Sequence, residues 1–391
     1  MRKLSALLFV FLVATIFIAG NISQAAPPVW QTAAHSSRQS RPTPEPTDTK
    51  VPTPNPPAPT SAPSPPAPTS IPNPSGAIGW GPNYKANTDV ETCNPGYTNC
   101  AQHEPEIAAN PHNDMNAVVG FKDWRDGKKQ VYLGTTFDGG RTWINQLPPG
   151  VRDLQVANES DPMVIFGADG VVYASMLCYN GPDEGPYITK SSDSGVNWSK
   201  VVPIWRGGRG SSDKEWIAID TNPASPYYNR LYATWTNVNV GHFFAAYSSD
   251  GGASWSAPAQ LNKGSTLVNI PAVLPNGNVL VVMYAEGTSE ITTVKSRDGG
   301  ASWSAERHAV DVGLSACEVT CKRQGTPQNW RIYTMPAVAV DARNGNVYMV
   351  WLDGRNEASN GWDIYYSRSA DDGDSWSSPQ RLNDDPPGRF I

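Results

Sequence analysis

The sequence predicts an all-β fold assembled from repeated four-stranded units, and three observations carry that expectation. An octapeptide recurs five times, an apolar strand with a tight-turn signal precedes each copy, and the composition is that of a turn-dense globule. The chain has 391 residues, with 34 Gly, 36 Pro and 14 Trp and only 17% charged residues, which argues against a coiled coil or helical solenoid. The formal charge of -6 supplies no broad basic field for phosphates, so nucleic acid is disfavoured as a partner. Five Cys are too sparse for a disulfide-built mini-fold, and the five His show no HExxH or paired-Cys spacing. A zinc enzyme is disfavoured, and no resident metal is expected.

Met1-Arg2-Lys3, the apolar run from Leu4 to Ala19 and the small residues Ser23-Gln24-Ala25 read as a secretory signal peptide over residues 1–25. The run is shorter than the roughly 20 residues that span hydrocarbon, and an uncleaved anchor is the second reading. Both place the remainder outside the cytoplasm, as a secreted or cell-surface protein. Residues 26–75 are rich in Pro, Thr and Ser, cannot bury apolar area against their ordering entropy, and read as an extended disordered stalk. A docking ligand for a Pro-binding module is the alternative there. The folded region is expected over residues 76–391.

The repeats are TFDGGRTW (Thr136 to Trp143), SSDSGVNW (Ser191 to Trp198), SSDGGASW (Ser248 to Trp255), SRDGGASW (Ser296 to Trp303) and SADDGDSW (Ser369 to Trp376). Each position has a physical reason. The aspartates Asp138, Asp193, Asp250, Asp298 and Asp371 can accept backbone amides and close an Asx-type turn. The following glycine supplies a positive φ, and the tryptophan packs beneath the turn with its ring N–H free to reach a carbonyl. Five equivalent carboxylates cannot all serve one active site, so a structural clip between two strands is expected.

Upstream of each octapeptide lies a turn signal followed by a long apolar strand: NAVVGF, VVYASML, RLYATWT, NVLVVMY and NVYMVWL. The distance from that turn to the octapeptide aspartate is 24, 23, 21, 21 and 26 residues, whereas successive octapeptides are 55, 57, 48 and 73 apart. The unit is constant inside and variable between, so insertions fall in the connections. A short leading strand precedes each turn: EPEIAANP, DPMVIFG, KEWIAID, IPAVLP and MPAVAVD. Leading strand, long strand, return strand and a last strand after the clip make a four-stranded propeller blade.

These octapeptides resemble the Asp box, or bacterial neuraminidase repeat, of sialidase-like β-propellers, over nearly everything from Glu104 to Arg381. The resemblance implies a six-blade type with five recognisable repeats. The ending at Arg389-Phe390-Ile391 reads as the approach to a sixth leading strand, and an unusual five-blade closure stays open. It also implies an exo-α-sialidase-type glycoside hydrolase acting on terminal sugars, with three arginines for the sugar carboxylate, an acid/base aspartate and a tyrosine nucleophile assisted by a glutamate. The family's Arg-Ile-Pro is absent. Its nearest approximation is Arg331-Ile332, followed by Asp353-Gly354-Arg355 and Asp363-Ile364-Tyr365, with a fainter echo in Trp124-Arg125-Asp126.

The candidate acid/base residues are therefore Asp126, Asp353 and Asp363, and the candidate carboxylate contacts Arg125, Arg331 and Arg355; a simple Arg355–Asp363 ion pair is the bland alternative. Tyr187, Tyr365 and Tyr366 are nucleophile candidates by residue type alone. Cys93 with Cys100 and Cys317 with Cys321 are expected disulfides, and Cys178 a buried thiol. Trp205, Trp216, Trp235, Trp330, Trp351 and Trp362 could stack on sugars or fill core. No cofactor is expected, although Asp371-Asp372 leaves calcium open. Two functions compete: the hydrolase, and a non-catalytic propeller that binds glycan or protein at the cell surface; the expected partner is a glycan or glycoprotein, and a monomer is expected.

Overall fold

A computed structural model describes residues 84–87, 102–125, 127–208, 212–262, 264, 268–285, 288–313, 321–322, 329–330, 334–356 and 362–384. The signal peptide, the stalk, Cys93, Cys100, Cys317, Arg331, Asp126, the Cys321 side chain and the expected sixth leading strand lie outside them. The first blade holds β1 (Gln102–Asn110), β2 (Asn113–Asp123), β3 (Gln130–Thr136) and β4 (Ile144–Gln146), and the second β5 (Asn158–Phe166), β6 (Val172–Tyr179), β7 (Gly185–Ser191) and β8 (Val202–Pro203). The third holds β9 (Asp213–Ile219), β10 (Leu231–Asn237), β11 (His242–Ser248) and β12 (Ala259–Gln260). The fourth holds β13 (Val268–Val273), β14 (Val279–Tyr284), β15 (Glu290–Ser296) and β16 (Arg307–Asp311). A two-stranded insertion, β17 (Cys321–Lys322) with β18 (Asn329–Trp330), precedes the fifth blade of β19 (Ala337–Val340), β20 (Val347–Asp353), β21 (Asp363–Ser369) and β22 (Gln380–Arg381).

Every blade is antiparallel with its strands in sequence order. The register is the same in all five: Ala117, Val172, Leu231, Val279 and Val347 pair with the first box residue, Thr136, Ser191, Ser248, Ser296 and Ser369. One-residue slips would turn the apolar face outward, so the hydrophobic alternation fixes this register. Leading strands β1, β5, β9, β13 and β19 pack in series, each on the next. The core lies between consecutive blades. Val118, Leu133, Met176 and Tyr187 fill the first gap; Met163, Ile188, Ile217 and Trp235 the second. Phe243, Leu261, Val281 and Met283 fill the third, and Leu280, Val282, Met349 and Trp351 the fourth.

Each box joins the third strand to the fourth. In the third blade Asp250 Oδ1 accepts the Ser254 amide at 2.9 Å and the Ser248 hydroxyl at 2.7 Å, while Ser248 Oγ accepts the Gly252 amide at 2.9 Å. The same triangle recurs at Thr136/Asp138, Ser191/Asp193, Ser296/Asp298 and Ser369/Asp371. Two consecutive residues take positive φ, including the non-glycine Ser194 and Asp372, whose left-handed backbone the surrounding hydrogen bonds impose. The tryptophan ring N–H behaves as expected at Trp143 and Trp198, which donate to Gly140 and Gly195 carbonyls at 2.9 and 3.2 Å. The expectation fails at Trp255, Trp303 and Trp376, whose buried ring nitrogens have no partner among the described residues because the indoles serve as inter-blade filling.

Boxes two to five also dock on the preceding blade. Asn116 Nδ2 donates to Ser194 O at 3.1 Å, Lys190 Nζ to Gly251 O at 2.9 Å and Arg230 Nη1 to Gly299 O at 2.8 Å. Asn278 Nδ2 donates to Asp372 Oδ2 at 3.1 Å, and Lys295 pairs with Asp374 at 2.8 Å. A Cβ at Gly195 would fall 2.7 Å from Thr135 Oγ1, and one at Gly373 2.8 Å from Leu280, so these glycines serve close approach as well as the turn. Ser248→Ala should cost about 1–3 kcal/mol by stranding the buried Gly252 amide, and Asp250→Ala about 1 kcal/mol by uncapping an exposed turn. Thermal unfolding measures both; unchanged melting in both variants would contradict the clip.

A bulged charge cluster as candidate functional site

Antiparallel order puts the boxes and the first hairpin turns on one rim, and the second-to-third-strand loops with the starts of the leading strands on the other. On that second rim three successive leading strands carry a β-bulge at one position. The ladder is interrupted between His103 and Glu106, between Ser160 and Met163, and opposite Thr234 and Thr236 at Asp213–Trp216. The inserted residues Glu104, Asp161 and Lys214 have φ of 55, 49 and 51. Left-handed conformations at charged residues cost on the order of 1–3 kcal/mol each, and such outliers cluster at functional sites.

The three bulges converge on one network. Lys122 Nζ pairs with Glu104 Oε1 at 2.7 Å. Ser160 Oγ lies 3.0 Å from Glu104 Oε2 and 2.9 Å from Asp161 Oδ1, and its single proton serves one of them. The Asp161 amide donates to Glu104 Oε2 at 3.1 Å, and Lys214 Nζ pairs with Asp161 Oδ2 at 3.3 Å. Asp213 accepts only the Lys214 amide, at 3.0 Å, among its recorded hydrogen bonds.

This asymmetry splits the two aspartates. Burial would raise Asp161, but Lys214, the Glu104 and Ser160 contacts and Lys122 prevail and hold it below the usual carboxylate range. At Asp213 burial, reinforced by the Asp161 charge, outweighs Lys214 and pushes the carboxyl up to about 6. The adjoining Glu215 is wholly buried, has no partner for either carboxylate oxygen among the described residues, and is pushed up further by burial and Asp161. Tyr179 faces the same carboxylates; burial and then Asp161 and Glu104 raise its phenol, making it a proton donor rather than a phenolate nucleophile. The cluster thus offers one carboxyl that gives up its proton readily and one that holds it to higher pH on neighbouring strands, with Lys214 touching both residues.

Of the residues expected from sequence, Arg125, Asp353, Arg355 and Asp363 lie on this rim but are tied to local partners. Arg125 grips Asp123 through its amide, Nε and Nη2 at 2.7, 2.9 and 2.6 Å and stacks on Tyr132 at 4.2 Å. Arg355 grips Asp353 in the same way at 2.9, 2.9 and 2.7 Å and lies 4.7 Å from the Tyr365 ring. A third copy, Asp341-Ala342-Arg343, closes a turn on the opposite rim, which identifies Asp-x-Arg as a local clip. Asp353 is fully buried and also accepts the Trp351 indole N–H at 2.7 Å, so it has no access to act as acid. Asp363 pairs with Arg381 at 2.5 Å and accepts the Asn383 amide at 2.8 Å, not with Arg355 as the bland alternative expects. Burial would raise it, but the Arg381 and Asn383 bonds hold it low.

Tyr187 is core, its hydroxyl donating to Asp183 O at 2.9 Å; Tyr365 packs in the fourth gap, and Tyr366 donates to Gln380 at 2.7 Å. Trp235, Trp351 and Trp362 are buried, Trp216 packs into two gaps, Trp205 is half-buried, and Trp330 lies in β18. Cys178 is a free buried thiol, pushed well up by burial. Among the described residues no group of three or more His, Cys, Asp or Glu is arranged to hold a metal, and Asp372 is occupied by Asn276 and Asn278. Sequence reasoning missed Glu104, Asp161, Asp213 and Lys214. Their signal was the leading strands placed in register: Glu104-Pro105, Asp161-Pro162 and Lys214-Glu215 put charge at one position of otherwise apolar strands.

The two rims give opposite pH dependence. Hydrogen bonds from Thr142, Asn197, Ser254 and Ser375 hold Asp138, Asp193, Asp250 and Asp371 at about 2. That is below the unfolded value of about 3.9, so their contribution is present above it and lost as pH falls toward about 2. Burial pushes Glu106 and Glu159 up to about 7. Their contribution is present below the unfolded value of about 4.3 and is lost as pH rises to about 7. Melting temperature should peak near pH 4–5, and Glu106→Gln with Glu159→Gln should flatten the upper limb; thermal scans from pH 2 to 8 that rise monotonically would contradict this.

Residues 227–383 match the BNR repeat-like domain family. No curated protein matches the sequence. Among solved structures, a Hadza microbial sialidase is 16% identical over 73% of this chain and 59% of its own, with a TM-score of 0.46. A Penicillium chrysogenum α-L-arabinanase is 13% identical over 70% of this chain and 79% of its own, with a TM-score of 0.45. A Fusarium graminearum α-L-arabinofuranosidase is 14% identical over 73% of this chain and 82% of its own, with a TM-score of 0.46. The matched segment carries three boxes, and the same clip in the same register at Asp138 and Asp193 extends the pattern upstream, so the two boxes outside the match are built like the three inside it.

Proposed function

We propose that the protein is a secreted glycan-acting propeller whose bulged rim hydrolyses a glycosidic bond, with Asp213 as general acid and Asp161 as the ionised base or nucleophile. The observation that carries this reading is two carboxyls on adjacent leading strands, contacted by one lysine, whose surroundings shift their proton affinities in opposite directions. Glycoside hydrolysis needs that pairing: a proton for the leaving oxygen and a carboxylate on the other side of the anomeric carbon. Lys214 holds Asp161 ionised, Glu104 and Ser160 orient it, and Tyr179 can donate a hydrogen bond to substrate oxygen. The fold family and the glycosidase names among the similar structures support the substrate class. A sialidase specificity has less behind it, because Arg125 and Arg355 each already spend two guanidinium donors on their own aspartate.

A second reading, binding without turnover, is favoured by the internal satisfaction of Glu104 and Asp161 through Lys122, Ser160 and Lys214. Release of fluorogenic aglycone from sialoside, arabinofuranoside and β-glucoside substrates separates the two. The hydrolase reading expects turnover of at least one, lost about 100-fold or more in Asp161→Asn and Asp213→Asn, and falling as pH rises through about 6 because the acid must keep its proton. No turnover of any substrate, or variants with full activity, would overturn it.

A further inference from the structure

The segment that leads into Asp213 carries a built aromatic surface that neither the clip nor the acid pair uses. Trp205, between β8 and β9, stacks on Trp235 with ring centroids 5.5 Å apart and planes 26° from parallel, and Trp235 stacks on Phe244 at 6.2 Å and 20°. Trp235 is wholly buried, whereas Trp205 is the partly exposed outer rung. Its backbone is clamped: the Ile204 amide donates to Pro186 O at 2.8 Å and the Gly207 amide to Glu184 O at 3.2 Å. Gly185 makes room for that clamp, since a Cβ there would fall 2.0 Å from the Trp205 carbonyl oxygen. Arg206, next in the chain, is fixed by Asp183 at 2.7 Å. Trp235 directly precedes Thr236, the ladder partner of Asp213, so the aromatic ladder lies on the strand that pairs with the Asp213 bulge.

We propose that Trp205 is the platform on which a sugar ring stacks beside the Asp161/Asp213 pair, accepting the apolar C–H face of a neutral ring; this rests on the glycan-hydrolase reading above. A rigid indole loses little entropy on binding, and a ring fixed from below presents its outer face in one orientation, which is how a site selects a planar apolar ligand face. The ordinary structural role, capping the second gap, needs the inner face alone.

Arabinotriose, cellotriose and 3′-sialyllactose serve as probes, titrated calorimetrically into the full chain, Trp205→Ala and Trp205→Phe. At least one should bind the wild type. Trp205→Ala should weaken that Kd about tenfold or more while Trp205→Phe retains most of it. In the wild type the same sugar should protect Trp205 from hydroxyl-radical oxidation read by mass spectrometry, which decides the matter if Trp205→Ala fails to fold. Unchanged affinity in a folded Trp205→Ala, or an unprotected Trp205, would overturn the platform and leave the glycan reading standing. Failure of all three sugars to bind the wild type would overturn both.

Discussion

The structure depends on one contact repeated along the chain: the Asp-box turn of each blade seated on the blade before it. Leading strands pack in series and apolar side chains fill every gap, but apolar surfaces are tolerant of sliding. Directional bonds to Ser194, Gly251, Gly299 and Asp372 remove that freedom at the outer rim. Glycine is required twice over in the box, for the left-handed turn and for the close approach. This explains why a short octapeptide is kept while the connecting segments vary from one blade to the next.

A frame pinned at one rim leaves the other free to carry strain. The bulges at Glu104, Asp161 and Lys214 occupy the same ladder position in three neighbouring blades, so aligning the blades automatically aligns the charges. Packing in the gaps below holds the strained residues in place. Chemistry then follows from environment: two aspartates differ in proton affinity because Lys214, Glu104 and Ser160 outweigh burial at Asp161, whereas burial outweighs Lys214 at Asp213.

The blades were legible in the sequence because they rest on local chemistry. Asn-Gly and Asp-Gly turns, β-branched runs and the Ser-x-Asp-x-Gly clip all act within a dozen residues, and the five leading strands fall where the sequence puts them. The site was far less legible. Arg125 and Arg355 looked like ligand contacts because an exposed-loop arginine suggests one, yet each is satisfied two residues back by its own aspartate, a local pairing that Asp341 and Arg343 repeat on the far rim. Glu104, Asp161 and Lys214 are separated by more than fifty residues each and become neighbours only when the blades stack, and a bulge that turns a residue inward leaves no mark in an alternation pattern. Only charge at one shared position of otherwise apolar strands, before proline in two of the three, hinted at it.

The central claim is that the bulged rim shifts the proton affinities of two carboxyls in opposite directions. Carbon-13 NMR of carboxyl-labelled aspartate, with Asp161→Asn and Asp213→Asn for assignment, tests it without any substrate. The account predicts that Asp213 titrates well above the usual aspartate value of about 3.9 and Asp161 below it, and that Lys214→Met draws Asp161 upward. Both aspartates titrating together near the usual value, or Asp161 titrating above Asp213, would contradict it.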